Sequence, residues 1–243
     1  MIKRTILELT ILFLDNFTQK KNINFIKKIF KNEIQTFFDI GCHKGESIDI
    51  FQKHFKINKI FAFDINKNVL KSIDKSKYLN TSFFNFGVAE KSYITKVKFN
   101  KLSPINSLNK FDNKSSYTNL KNIIIKLLNF PNKLHEDKFC EVKIISMDEF
   151  CQKNAISEID IVKIDIEGGE YNALKGFQNN IRKAKIIIFE HHYDNSLIKN
   201  YNFSDINKLL LKNNFVKVCK NKLLFRNIYD YIYINKIFLD QSL

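Results

Sequence analysis

Tryptophan is absent from this 243-residue chain, proline occurs only at Pro104 and Pro131, and glycine is limited to six positions. The four cysteines, Cys42, Cys140, Cys151 and Cys219, are widely spaced and form no C-x-x-C pair. Neither a zinc site nor a disulfide framework is implied, and a reducing, cytoplasmic setting is expected. Long apolar runs are also missing. The stretch from Met1 to Phe17 is broken by Glu8 and Asp15 and leads to no small-residue cleavage site, so it reads neither as a signal peptide nor as a transmembrane segment. Acidic residues are the minority, 25 against 40 Lys and Arg, for a net charge of +15. The excess of Lys, Asn, Ile and Phe runs evenly along the chain, as an AT-rich genome would produce. The charge therefore fits nucleic acid, a membrane surface or an anionic small substrate alike, and no block of alternating Arg and aromatic residues singles out nucleic acid. An apolar content of 44% is ordinary for a globular protein and argues against disorder.

Scarcity makes each glycine informative. Gly41 and Gly45 lie in Phe37-Phe38-Asp39-Ile40-Gly41-Cys42-His43-Lys44-Gly45-Glu46-Ser47, where an apolar run meets an Asp, turns, and enters a segment with apolar residues at helical spacing. Strand, tight loop and helix are predicted. Such a turn aims the unpaired first N–H groups of a helix into the loop, a seat for an anion. The loop lacks the three-glycine dinucleotide fingerprint and the Gly-Lys-Ser/Thr ending of a P-loop. The next strand, Lys59 to Asp64, also ends in a carboxylate, where a ribose diol is held in a βαβ unit. Together the two acid-tipped strands describe a nucleoside-bearing cofactor.

The same alternation continues. Ser82 to Ala89 reads as a third strand with its exit loop, and Asn85 stands where a base would be flanked. Further strands are expected at Tyr93–Asn100, Glu141–Ser146, from Ile159, at Lys185–His192, Phe215–Cys219 and Tyr229–Ile234, with helices between them. The predicted class is α/β, a mostly parallel sheet with helices on both faces and its ligand edge at the strand C-termini. Asp39, Asp64, Asn85, Asp165 and Glu190 all fall at that edge. Residues 1–34 read as an N-terminal helical extension that could pair two copies of the chain, and residues 35–243 as the main domain. The Asn-, Ser- and Lys-rich stretch 101–138, with both prolines, is expected to cover the substrate. Lys163, inside an apolar strand, needs a carboxylate partner, either Glu167 or Asp165.

The motifs at Phe38–Ser47, Phe61–Asp64 and Ile159-Asp160-Ile161-Val162-Lys163-Ile164-Asp165-Ile166-Glu167-Gly168-Gly169-Glu170 resemble, in order and spacing, the FkbM-type S-adenosylmethionine-dependent methyltransferases. The likeness covers about residues 35–193, and the Lys-Ile-Asp-Ile-Glu-Gly-Gly-Glu segment is its most specific part. Departures are His43 where the family commonly has Asn, Asp64 where it has Glu, and Ile65 where it has Pro. The resemblance implies a class I methyltransferase fold and methyl transfer to a hydroxyl, often on a sugar. It also implies that Gly41, Cys42, His43, Gly45 and Ser47 hold the methionine carboxylate. Asp39 would then orient the amino group, Asp64 the ribose, and Ile65 and Asn85 the adenine.

A base assists transfer to an alcohol. Asp165, Glu190, His191 and His192 are the candidates. On an extended segment Glu190 and His192 share a face, which favours His192 oriented by Glu190. Asp165, Glu190 and His191 are alternatively candidates to hold a divalent cation that binds the acceptor's diol. The expected acceptor is a sugar, either nucleotide-activated or part of a surface polysaccharide. The alternatives are a nucleic-acid (RNA) methyltransferase, for which the flipped-base and cytosine-C5 motifs are missing, and a cofactor-binding module without turnover.

Overall fold

A computed structural model of the chain describes residues 19–99, 138–194, 197–223 and 226–242. The first 18 residues of the expected N-terminal helical extension and residues 101–137 of the expected cover lie outside these residues, as does any contact those first residues would make with a second copy. None of the described helices is long and apolar enough to cross a membrane.

Helix α1 over residues 19–30 precedes β1 (Glu33–Ile40), α2 (Glu46–His54), β2 (Lys56–Phe63), α3 (Lys67–Ser72), β3 (Thr81–Phe84), β4 (Gly87–Val88) and β5 (Tyr93–Phe99). The chain continues as β6 (Lys138–Ile145), α4 (Met147–Lys153), β7 (Ile159–Ile164), α5 (Glu170–Lys175), β8 (Ala184–His192), α6 (Phe203–Lys212), β9 (Phe215–Lys222), β10 (Ile228–Asn235) and α7 (Lys236–Ser242). The main sheet has the order β3-β2-β1-β7-β8-β10-β9. Its first five strands are parallel, and β10 is antiparallel to both neighbours. A parallel sheet covered on both faces accounts for the near-continuous apolar runs of β1, β7 and β8.

Side-chain alternation divides the core in two. Phe38, Ile40, Val162, Ile164, Phe189 and Tyr231 pack toward α4, α5 and α6. Phe37, Ile161, Ile186, Ile188 and Ile232 pack toward α1 and α2. By the same period the second face also carries Asp39, Lys163, Glu190, His192 and Asp230. Register sets them side by side, with Asp39 opposite Lys163 and Asp230 opposite Glu190.

Expected and observed elements differ at Ser82–Ala89. The chain leaves the main sheet after Phe84, and Gly87–Val88 pairs instead with Ile144–Ile145 in a small sheet of order β4-β6-β5. Gly87 permits the switch, because a Cβ there would lie 2.5 Å from Ile144 Cδ1 and 2.7 Å from Ile65 Cγ2.

At the opposite end of the sheet from the strand C-termini, Asp160 ties β7 to β1. Its Oδ2 accepts from the Gln35 and Thr36 N–H groups at 2.5 and 3.3 Å, and its Oδ1 pairs with Lys185 Nζ at 2.8 Å. Asp160→Ala would strand these donors, and urea unfolding is expected to show a loss of ~2–3 kcal/mol. An unchanged midpoint would contradict that role.

Candidate active site

The turn after β1 exists because Gly41 has no side chain. Its φ is +92°, and a Cβ would fall 1.9 Å from the Asp165 carbonyl oxygen. The Gly41 and Cys42 N–H groups both donate to Phe63 O, at 2.8 and 3.0 Å, and Asp165 N–H donates to Ile40 O at 2.8 Å. One bend thus joins the tips of β1, β2 and β7. Gly45, also at φ +92°, caps α2, whose first N–H groups have no partners within the helix.

The loop's charges meet here. Asp64 Oδ2 accepts from His43 N–H at 3.0 Å, and Oδ1 accepts from Asn66 N–H at 2.7 Å. Each oxygen keeps a second lone pair. Burial raises the Asp64 pKa above the usual carboxylate range, against the pull of those two N–H donors. Glu46 turns back over the loop, accepting from Lys44 N–H at 3.0 Å and pairing with His43 Nδ1 at 2.9 Å. That hydrogen bond raises the His43 pKa. Asn85 donates Nδ2 to the carbonyls of Asp64 and Ile65, both at 3.0 Å, which fixes the exit from β2. Ile65 packs against the small cluster of Ala89, Val97, Val142 and Ile144. Cys42 and Ser47 are buried, so Cys42 offers the loop only its backbone.

Asp39 lies beneath this loop with no solvent exposure, and neither of its carboxylate oxygens has a hydrogen-bond partner among the described residues. Burial pushes its pKa up to about 7, opposed by Lys163, whose Nζ is 4.0 Å away. Lys163 bonds Asp165 at 3.0 Å instead. Burial works against the ammonium, but Asp165 and Asp39 outweigh it and hold its pKa above the ordinary value. A cavity of about 20 Å³, room for roughly one water, lies between Lys163, Asp230, Asn22 and Gln19. Asn22 on α1 donates to Asp230 Oδ2 at 2.6 Å and so fastens α1 to the charged face.

Beyond Asp165 the chain turns through Glu167, at φ +53°, toward β8. Glu170 braces this turn. Its Oε1 accepts from Ile166 and Gly168 N–H at 3.4 and 2.9 Å, and its Oε2 from Tyr201 Oη at 2.5 Å. Glu167 and Glu190 meet His192 Nε2 at 3.3 and 2.7 Å, and Asp194 faces Nδ1 at 3.4 Å. Burial disfavours the imidazolium, but these carboxylates override it and raise His192 to about 10. Burial, reinforced by Glu190, raises Glu167 to about 8.

Gly41 to Ser47, Asp64, Ile65 and Asn85 therefore gather at the tips of β1 and β2 and beside β3. Asp165, Glu190 and His192 follow along the same edge. His191 does not join them. It points to the other face, among Tyr193, Tyr201 and Phe203, with Nδ1 buried and unpartnered among the described residues. Glu167 enters the cluster although sequence reasoning offers it only as one of two partners for Lys163, a place that Asp165 takes. Asp230 was missed as well, and the even spacing of Asp230, Ile232 and Ile234 is the signal that sets it on the face of Glu190.

A family model described as Methyltransferase FkbM domain matches residues 39–217. The hexuronic acid methyltransferase AglP of Haloferax volcanii is 31% identical over 64 residues, 26% of this chain and 27% of that protein. Methyltransferase FkbM from Methylobacillus flagellatus KT superposes with a TM-score of 0.52 at 12% identity, covering 83% of this chain and 43% of that one. A SAM-dependent methyltransferase from Aquifex aeolicus reaches a TM-score of 0.46 at 10% identity, covering 87% and 88%. The first of these structures supports the fold, and the second is too distant to carry weight. The chain spans about a quarter of the curated relative's length and less than half of the first structure's.

Burial drives the His191 pKa down to about 3, so the unfolded chain binds a proton there that the folded chain refuses. Folding stability should fall as pH drops from about 6.5 toward 3. His191→Phe, which fits the aromatic surroundings, should flatten that slope in denaturant titrations, and an identical slope would contradict the assignment.

Proposed function

The chain belongs to the FkbM methyltransferase family, and from that premise we propose that it transfers a methyl group from S-adenosylmethionine to a hydroxyl of a sugar. The observation that carries this reading is the bend at Gly41. It sets an anion-favouring helix start beside a carboxylate with spare lone pairs, and an acid–imidazole cluster follows on β7 and β8, the next two strands along the edge.

The residues present fit the cofactor. The close approach of Gly41 to the Asp165 carbonyl holds the loop and the start of α2 at the tips of β1 and β7. Asp64 can accept from both ribose hydroxyls while keeping its two N–H bonds, and Asp39 beneath the loop, with no hydrogen-bond partner among the described residues, suits the ammonium of an amino-acid tail. Glu46 occupies the mouth of the loop and swings aside for the methionine carboxylate, releasing the His43 imidazole and the Lys44 N–H. Asn85 contributes its amide oxygen, since its N–H₂ is committed to the backbone. When bound, S-adenosylmethionine supplies a methyl group on a sulfonium, open to attack by an oxygen nucleophile.

On the acceptor side, the hydroxyl proton passes to the Glu167–His192–Glu190 cluster. Asp165 is committed to Lys163, so the accepting group lies among Glu167, Glu190 and His192, whose Nε2 stands 3.3 and 2.7 Å from the two glutamates. The sugar assignment is supported by the hexuronic acid methyltransferase relative. A net charge of +15 also suits an acidic or nucleotide-activated sugar.

Calorimetric titration with S-adenosylhomocysteine should show binding that Asp64→Ala weakens at least tenfold. Labelled S-adenosylmethionine with hexuronic acids and nucleotide sugars should yield a methylated sugar. Full affinity in Asp64→Ala would overturn the cofactor assignment, and label found only in RNA would overturn the acceptor.

A further inference from the structure

Among the described residues, one group of side chains brings together three atoms able to ligate a metal: the carboxylates of Glu167 and Glu190 and the imidazole of His192, all within 4.8 Å of one another. We propose that this is a divalent-cation site, whose two carboxylates and one imidazole suit a first-row ion such as Mn²⁺.

Distance is the first argument. Ligands about 2.1 Å from one octahedral ion and at right angles lie ~3 Å apart. His192 Nε2 stands 2.7 Å from Glu190 Oε1 and 3.3 Å from Glu167 Oε2, on either side of that value. The ion takes the place of the Nε2 proton and needs no rearrangement of the backbone.

The surroundings of the imidazole are the second argument. A metal-ligating His characteristically donates its other ring N–H to a carboxylate, which fixes the tautomer and leaves the ligating nitrogen bare. Asp194 Oδ1 stands 3.4 Å from Nδ1, on the far side of the ring from Glu167 and Glu190. Lys199 Nζ also holds the His192 carbonyl. His192 itself is almost fully buried, at 2% side-chain exposure, while Glu167 and Glu190 keep 18% and 13%. Among the described residues the cluster is therefore more exposed on its carboxylate side than at the imidazole. Three protein ligands leave the remaining octahedral positions to water or to oxygen ligands.

Those open positions suit two neighbouring hydroxyls of a sugar. This acceptor role rests on the methyl-transfer reading above, whereas ion binding by the three side chains does not. Carboxylate and imidazole ligands favour Mn²⁺ over Ca²⁺, which prefers an all-oxygen shell.

The test uses the full chain stripped with EDTA and titrated with Mn²⁺, followed by the electron paramagnetic resonance signal of the free ion. One Mn²⁺ per chain is expected, bound at least tenfold more weakly by Glu190→Gln and by Glu167→Gln, with metal-free thermal melts identifying which variants fold. No stoichiometric binding by the wild type, or undiminished binding by either folded variant, would overturn the site. S-adenosylhomocysteine titrated into the same EDTA-treated protein separates the two readings, since retained affinity there leaves the donor assignment standing whatever Mn²⁺ does.

Discussion

At residue 41 two stretches of backbone come so close that a β-carbon would sit 1.9 Å from the Asp165 carbonyl oxygen. Everything at the ligand edge is placed by that approach. It draws β7 against the tip of β1, and the paired N–H bonds to Phe63 O pull in β2. The glycine loop, the Asp64 carboxylate and the acid–imidazole cluster thereby lie on neighbouring strands. A side chain at this position would separate them, and φ +92° would add backbone strain.

The second constraint is charge. One face of the sheet gathers Asp39, Lys163, Asp165, Glu190, His192 and Asp230, with Asp39 and His192 buried and the others half-buried, where a core built for stability alone would carry apolar residues. Lys163 provides the positive charge that allows Asp39 and Asp165 to stand so near each other. The cost of burying Asp230 appears in its own pKa, raised to about 8 by burial and then by Glu190. Helix α1 covers this layer through Asn22, so the segment before the methyltransferase domain is fastened to its polar interior. A functional edge explains why such a layer persists.

Much of this was legible in the sequence, for identifiable reasons. Few glycines made Gly41 and Gly45 conspicuous, and runs such as Ile159–Ile164 and Lys185–Phe189 are too apolar for anything but a doubly covered parallel strand. Period-2 spacing set Glu190 and His192 on one face, where the structure has them 2.7 Å apart. Other features depend on contacts distant in sequence. The departure of Gly87 from the main sheet is decided by Ile65 and Ile144. The part taken by Glu167 is decided by a left-handed residue and by Glu170, anchored to Tyr201 some thirty residues on. Nothing local in Ile166-Glu167-Gly168-Gly169 discloses that geometry. His191 and His192 read alike in the sequence, and alternation sends one into an aromatic pocket and the other into a ring of carboxylates.

The central claim is that a sulfonium donor lies across the bend at Gly41, with its sugar on Asp64. A crystal structure with S-adenosylhomocysteine tests it most directly. The expected result is an adenosine whose ribose hydroxyls lie within hydrogen-bonding distance of the Asp64 carboxylate, an amino-acid tail against residues 41–47, and Glu46 displaced from the loop. A ligand bound elsewhere, or a loop still closed by the His43–Glu46 pair at saturating ligand, would contradict it.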